Sequence, residues 1–390
     1  MPPTPRLAAL PLALLLATTA CRSQESETWG FVATLGNDTT SVERITRQGD
    51  RIVAEAVGRS PVVVRRRWQA TLAADGSLRR WSMDTYIPNA PAGERELHHE
   101  LELNDGVARV VRQTGKDSVD RTVRLAHART APWNAFVYGT FELLFQVARG
   151  VPDSLPVGQY FFEGWDEGKF GYARLRRPAD GRIEIRSTGL AGTGTATLDE
   201  RGRLLAYSGD GTTYHQEVQR VADVPGLDAI LERFAADEPK TGVQRALSVR
   251  DTARAVVGRA GLAVDYSRPA MRGRVLLGAL IPYDQIWRTG ANAATHLMTD
   301  APIALAGVPL DSGAYTLWTL PTQNGVQLII NRQTGQWGTG YRASEDLARV
   351  GMRVDTLAAP VERFTIGVDT TTPRLFMEWG TFRWSVPVER

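Results

Sequence analysis

The chain has 390 residues, of which 43% are hydrophobic and 23% charged, with a formal net charge of +3. Those proportions are ordinary for a folded chain and exclude a disordered polymer, a collagen, a coiled coil and a polytopic membrane protein. A charge so small over this length leaves no electrostatic footprint for nucleic acid, and no nucleic acid partner is expected.

Residues 1–20 read as a secretory signal. One cation, Arg6, precedes the apolar run Leu7 to Ala17 and the small residues Thr18-Thr19-Ala20. The run is too short to cross about 30 Å of hydrocarbon as a stable anchor. Cys21, the only cysteine, follows at once. Thr18-Thr19-Ala20-Cys21 resembles a bacterial lipoprotein processing site, in which the cysteine is acylated, with Thr18 where that pattern usually has leucine. The resemblance implies a lipoprotein of the cell envelope whose membrane partner is reached through lipidated Cys21. Arg22, where inner-membrane retention would have aspartate, resembles outer-membrane sorting, with the protein facing the periplasm. Each buried acyl methylene adds about 0.8 kcal/mol of membrane affinity, so such an anchor is permanent. A single cysteine leaves no disulfide to stabilise the exported chain. Residues 21–27 read as the lipidated tether.

Residues 28–238 read as a β-meander domain. Apolar and polar residues alternate in short bursts from Trp29 to Leu35, Ser41 to Arg47, Arg51 to Val57, Val62 to Leu72 and Leu78 to Tyr86. Gly-Asn-Asp, Gln-Gly-Asp and Ala-Asp-Gly separate them and suit tight turns. The meander continues through Glu94 to Leu103, Val107 to Gln113 and Ser118 to Leu125. A helix then interrupts it, with Val137, Phe141, Leu144, Phe145 and Ala148 on one face and Gly139, Glu142, Gln146 and Arg149 on the other. Asn134 is the expected cap and Gly150 the expected stop. Further strands follow between Gln159 and Val221, with Asp166-Glu167 as a hairpin tip, and Gly226 to Ala236 reads as a second helix. The fold class expected here is all-β: a curved antiparallel meander, half-barrel-like, with one or two helices. In outline it looks like the half-barrel carriers and sensors of the bacterial envelope that hold lipids.

Pro239 and Gly242 break the pattern, and 239–252 reads as a linker. Residues 253–390 read as a β-sandwich of jelly-roll type, with strands at Arg254 to Tyr266, Val275 to Ile281, Thr295 to Thr299, Ala314 to Thr319, Val326 to Asn331, Met352 to Leu357, Val361 to Val368, Arg374 to Trp379 and Phe382 to Val388. Gly380-Thr381 suits a type II′ hairpin that would put Met377, Trp379, Phe382 and Trp384 on one apolar face. Glu378 and Arg383 would then meet on the other as a cross-strand ion pair rather than as catalytic machinery.

This second region carries an ordered set of words: Tyr266-Ser267-Arg268-Pro269, Arg272-Gly273-Arg274, Pro282-Tyr283, Trp287-Arg288-Thr289-Gly290-Ala291-Asn292, Ala294-Thr295, Gly313-Ala314-Tyr315-Thr316-Leu317, Trp337-Gly338 and Glu378-Trp379. Their order and spacing resemble a bacterial family known only as a domain of unknown function. Many members have glutamate after the asparagine, where this chain has Ala293. The resemblance implies a family and no activity.

Arg268, Arg272, Arg274, Tyr283, Trp287, Arg288, Asn292 and His296 form the candidate binding cluster. Guanidinium forks beside flat rings suit carboxylates, phosphates or acidic sugars. Arg272 and Arg274, two apart, would project from one side of a strand. The alternative, favoured on the sequence, is that these residues tie loops to the sandwich through backbone carbonyls.

No nucleophile elbow, phosphate loop, dinucleotide fingerprint or His-Glu-x-x-His motif is present, so no catalytic residue is assigned and neither cofactor nor metal is expected. His98, Glu100 and Glu102 share a strand face and read as solvated; His127, His215 and His296 stand singly. The function expected is a non-catalytic, membrane-anchored envelope lipoprotein binding an apolar or anionic ligand, such as a lipid or acidic glycan, or a protein partner. The alternative is an uncharacterised hydrolase or lyase with its site in the sandwich and His296 or Glu378 moving the proton.

Overall fold

The computed structural model describes residues 26–59, 62–162, 168–224, 226–237 and 248–389. The signal segment, Cys21 and its neighbours to 25, the Asp166-Glu167 tip and residues 239–247 of the expected linker lie outside them.

The strands of the first region are β1 (Ser26–Leu35), β2 (Asp38–Gln48), β3 (Arg51–Gly58), β4 (Val64–Leu72), β5 (Leu78–Tyr86), β6 (Glu96–Asn104), β7 (Val107–Thr114), β8 (Ser118–Arg124), β9 (Thr130–Trp133), β10 (Val157–Phe161), β11 (Phe170–Arg176), β12 (Arg182–Ser187), β13 (Leu190–Leu198), β14 (Leu204–Ser208) and β15 (Glu217–Val221). They form one 15-stranded sheet in the order β8-β7-β6-β5-β4-β3-β2-β1-β15-β14-β13-β12-β11-β10-β9. The strands run antiparallel to their neighbours, apart from the parallel pair β9 and β10. The last strand returns beside the first, so β8 and β9, neighbours in sequence, become opposite edges of an unclosed sheet.

Period-two patterning builds the inner face. In β4, Val64, Arg66, Trp68, Ala70 and Leu72 are buried while Arg67 and Gln69 are exposed. The sheet curls until Trp81 of β5 lies 4.7 Å, ring to ring, from Phe162 beyond β10. Helix α1 (Tyr138–Val147) fills the concave side, and every one of its residues is buried. The two-faced helix read from the sequence is therefore corrected. Its polar side is enclosed because partners wait there: Glu142 accepts from Arg220 at 2.7 Å and from the Leu204 backbone at 3.2 Å. Asn134 does not cap the helix. Its side chain accepts from Phe136 N–H at 2.8 Å, one turn early, and the N-cap is Val137, which makes no side-chain cap. Helix α2 (Leu227–Asp237) lies on the opposite face, with Leu227 and Phe234 packed on Val42, Val57 and Val63.

The second region contains β16 (Ser248–Val257), β17 (Ala260–Pro269), β18 (Thr295–Thr299), β19 (Ile303–Leu305), β20 (Val308–Leu310), β21 (Gly313–Thr322), β22 (Gly325–Asn331), β23 (Asp346–Gly351), β24 (Arg353–Asp369) and β25 (Arg374–Glu389). A 6-stranded sheet, β16-β17-β18-β21-β22-β23, faces a 4-stranded sheet, β20-β19-β25-β24. Leu262, Val264, Leu317 and Ile330 from one meet Phe364, Met377, Trp379 and Trp384 from the other in a shared core. Burying side chains of this size contributes about 1.5–3 kcal/mol each.

Four sequence expectations change here. Residues 248–252, expected in the linker, belong to β16, and Arg254 to Tyr266 is a hairpin of two strands turned at Gly258, not one strand. Val275 to Ile281 is no strand: Ile281 N–H donates to Leu276 at 2.7 Å and Gly278 has φ 80, so the segment coils on itself. Gly380-Thr381 is not a hairpin, because β25 runs straight through it along β24. Gly380 has φ 55 and the ladder shifts register there, as at a bulge. The surplus residues of this irregularity lie on β24, where Thr356 and Val361 face Phe382 and Gly380, while the inward parity of β25 itself reverses at Gly380. Met377 and Trp379 before it and Phe382 and Trp384 after it therefore all reach the core, as a turn would also have arranged.

Candidate functional site

Residues 270–294 cross one end of the sandwich without regular strands. Arg272, Asp284, Thr289 and Asn292 all have positive φ there (52, 60, 55 and 61). Left-handed backbone at a β-branched residue such as Thr289 is costly and persists only where the surroundings impose it. Thr289 is buried, and its carbonyl accepts from the Thr295 hydroxyl at 2.6 Å. Trp287 is fixed by reciprocal backbone bonds with Thr319 at 2.8 and 3.0 Å and stacks on Trp379 at 5.9 Å.

The candidate cluster divides on this frame. Arg274, Trp287, Arg288 and Asn292 line one cleft, of about 350 Å³, whose opposite wall is Thr188 to Ala191 and Thr213 to His215 of the fifteen-stranded sheet. The other four do not line it. Arg268 is spent on structure, donating to Phe364 O at 3.2 Å, Thr365 Oγ1 at 2.9 Å and Asp251 at 3.0 Å. Arg272 pairs with Asp38 of the first region, while its carbonyl accepts from Asn37 N–H at 3.1 Å. That residue joins sheet to sandwich, and its left-handed turn overturns the expectation that Arg272 and Arg274 project from one side of a strand. Tyr283 packs beside Gly278. His296 sits in β18, its Nε2 accepting from Gly335 N–H at 2.9 Å.

The cleft is electropositive. Arg274 is held by Met271 O at 3.1 Å and Ala270 O at 2.8 Å, and burial, reinforced by the Arg272 charge, pushes its guanidinium down to about 10. Arg288 has no hydrogen bond or ion pair among the described residues, and burial alone pushes it down. Gly338 supports it: a Cβ there would collide with Arg288 Cδ, so only glycine lets the 337–338 backbone lie along the arginine stem. His215 completes the rim with φ 49. Burial, then Arg274 and more weakly Arg288, hold its imidazole below the usual histidine range, against the pull of Asp210.

Residues 248–388 match the family described as Protein of unknown function (DUF2911). The match opens with β16, ahead of the boundary expected at 253. No curated protein matches the chain. Among solved structures, a DUF1089 family protein from Pseudomonas aeruginosa is similar at 17% identity and a TM-score of 0.33, covering 45% of this chain and 92% of that one. A β-barrel-like protein of the DUF1849 family from Brucella abortus is similar at 13% identity and a TM-score of 0.30, covering 52% and 97%.

The acid and base candidates of the DUF2911 region are engaged elsewhere. Glu378 pairs with Arg383 at 3.0 Å, the guanidinium lying 4.2 Å from the Phe376 ring. The pair forms across the bulge and not across a hairpin. In the first region, His98 Nδ1 is 2.7 Å from Asp84, and Glu102 lies 3.7 Å from Arg80 and 3.5 Å from Arg109, an ion-pair lattice on the outer sheet face. Sequence reasoning missed the cleft's other wall. His215 and Tyr214 carry no local signal of it, whereas Trp337-Gly338 is one of the family words and lies too far along the chain for spacing alone to join it to the cluster.

Proposed function

We propose that this protein is a lipid-anchored binding protein of the bacterial envelope whose ligand occupies the cleft between the fifteen-stranded sheet and the DUF2911 region. Cys21, directly after an apolar leader and Thr18-Thr19-Ala20, is the anchor, with the outer membrane as destination. The observation that carries the binding reading is Arg288, a partly buried guanidinium facing a cleft with no counter-charge among the described residues. Leaving such a group unpaired costs free energy that a ligand would offset. The engagement of Glu378 by Arg383 and of His296 by Gly335 favours holding a ligand over a hydrolase or lyase reaction. The concave side of the sheet is filled by α1, so the cleft is the better place for a ligand than the half-barrel interior.

The test uses the full chain purified in detergent from its own host. Labelled palmitate should be incorporated, and Cys21→Ala should lose both label and membrane association. Native mass spectrometry should show a bound small molecule that is absent from Thr339→Trp, since Thr339 is an exposed residue of the cleft wall and a large ring there fills the space. A ligand-free wild-type mass would remove the binding reading; unlabelled protein would remove the anchor.

A further inference from the structure

The chemistry of the cleft narrows what it can hold. This step rests on reading the cleft as the ligand site. Two guanidinium groups and an imidazole line it, and Asp210, the acid that interacts electrostatically with both Arg274 and His215, forms no salt bridge with either. Arg274 uses Nε and Nη2 on backbone carbonyls, which leaves Nη1 without a partner among the described residues. Arg288 offers its whole fork. A planar fork freed of water matches the two oxygens of a carboxylate or phosphate better than any neutral group. Beside the cations stand two indoles, Trp287, stacked on Trp379, and Trp337, which is 42% exposed although it borders the cleft. An exposed tryptophan next to unpaired arginines offers a flat apolar surface to whatever the anion is attached to. A space of about 350 Å³ suits a small molecule and not a polymer.

We propose that the ligand is a small amphiphilic oxyanion, a carboxylate or phosphate monoester joined to a planar apolar group, with its charged end on Arg288 and Arg274 and its body against Trp337 and the edge of Trp287. Arg288 is the specificity residue. Its stem is clamped by Gly338 and by the left-handed turn at Thr289, so the fork is set before the ligand arrives.

Isothermal titration of the full chain in detergent with benzoate, phenyl phosphate, inorganic phosphate and benzyl alcohol tests this. Benzoate or phenyl phosphate should bind at least about ten-fold tighter than inorganic phosphate and than benzyl alcohol, and the tighter of the two names the oxyanion. Arg288→Gln should lower that affinity at least about ten-fold at unchanged Tm, and Arg288→Lys, which keeps charge without the fork, should fall between. Absence of heat with either aromatic anion overturns the inference, as does benzyl alcohol binding equally well or Arg288→Gln binding like the wild type. If those results arise while Thr339→Trp still expels the ligand carried from the host, the anion inference fails and the cleft reading stands. If Thr339→Trp keeps that ligand, the cleft reading itself fails.

Discussion

Glu43 of β2 accepts a hydrogen bond from the backbone nitrogen of Gly139 in α1 at 2.8 Å, and another from the Trp68 indole at 2.7 Å. A carboxylate from a strand ninety-six residues away thus does the work that the helix's own N-cap, Val137, cannot do. A negative group at a helix N-terminus is favourable, and here it also ties the helix to the inner wall of the sheet. Burial pushes this carboxyl up, against the pull of both hydrogen bonds and of Arg66. Glu43→Ala should cost about 2–4 kcal/mol by urea unfolding, and Glu43→Gln less, because an amide oxygen can still accept one bond. A loss below about 0.5 kcal/mol for the alanine variant would show that α1 is held by its apolar contacts alone.

Glu142, on the same helix, predicts a pH dependence. Burial pushes its carboxyl from 4.5 up to about 7, although Arg220 lies 2.7 Å away and opposes the shift. A folded-state value above the unfolded one means that the native state holds the extra proton. The contribution is therefore full below about 4.5 and is lost as pH rises through about 7. Over that window wild-type stability should lose up to about 3 kcal/mol relative to Glu142→Gln, whose side chain does not titrate. Parallel unfolding curves of the two proteins between those limits would remove the prediction.

At Gly380 a continuous strand and a hairpin make opposite predictions for hydrogen exchange. The ladder joins Thr356 to Phe382 and Thr365 to Glu378 on either side of the bulge. Trp379 and Phe382 amides should therefore exchange slowly together with the rest of β25, whereas a turn at 380–381 would leave a fast-exchanging tip. Gly380→Val should cost about 1–3 kcal/mol, since φ 55 is strained for a β-branched residue and its Cβ would approach Leu276 Cδ1 at 2.8 Å.

This bulge marks how far the sequence could be read. Alternation over β1 to β8 specified strands and faces, because a one-residue slip would have exposed residues such as Trp68 and Trp81. The same period cannot separate a two-residue turn from a bulge, since both return the same side chains to the core. The burial of α1 is not legible in the sequence for a related reason: polarity at Glu142 and Gln146 signals solvent unless a partner is known, and Arg220 arrives from β15. Half of the arginine cluster was found by residue type, but Arg268 and Arg272 differ from Arg288 only in having Asp251, Asp38 and backbone carbonyls within reach. Those partners are brought by folding and leave no mark on local spacing. His215 was out of reach altogether, because its approach to Arg274 depends on how sheet and sandwich meet at the Arg272–Asp38 pair.

His215 should make anion binding depend on pH. It faces Arg274, Arg288 and Asp210, and burial together with the two arginines holds it below 6.5, so it is neutral at pH 7. A depressed histidine favours the native state above 6.5, and this contribution is lost as pH falls through its unfolded value. A bound anion reverses the balance, adding a negative charge beside the imidazole and raising its affinity for a proton. By linkage, benzoate must then bind more tightly as the pH falls from 7 toward 5.5, where the ligand, like other carboxylates with pKa values of about 4, stays ionised. One further cation at the rim is worth about 1 kcal/mol, or roughly five-fold in affinity. His215→Asn keeps a residue type that tolerates φ 49 and should bind benzoate with the same affinity across this range. Titrations at pH 7 and 5.5 on both proteins decide the matter: an equal gain in wild type and His215→Asn would assign the pH response to another group and place His215 outside the anion's reach.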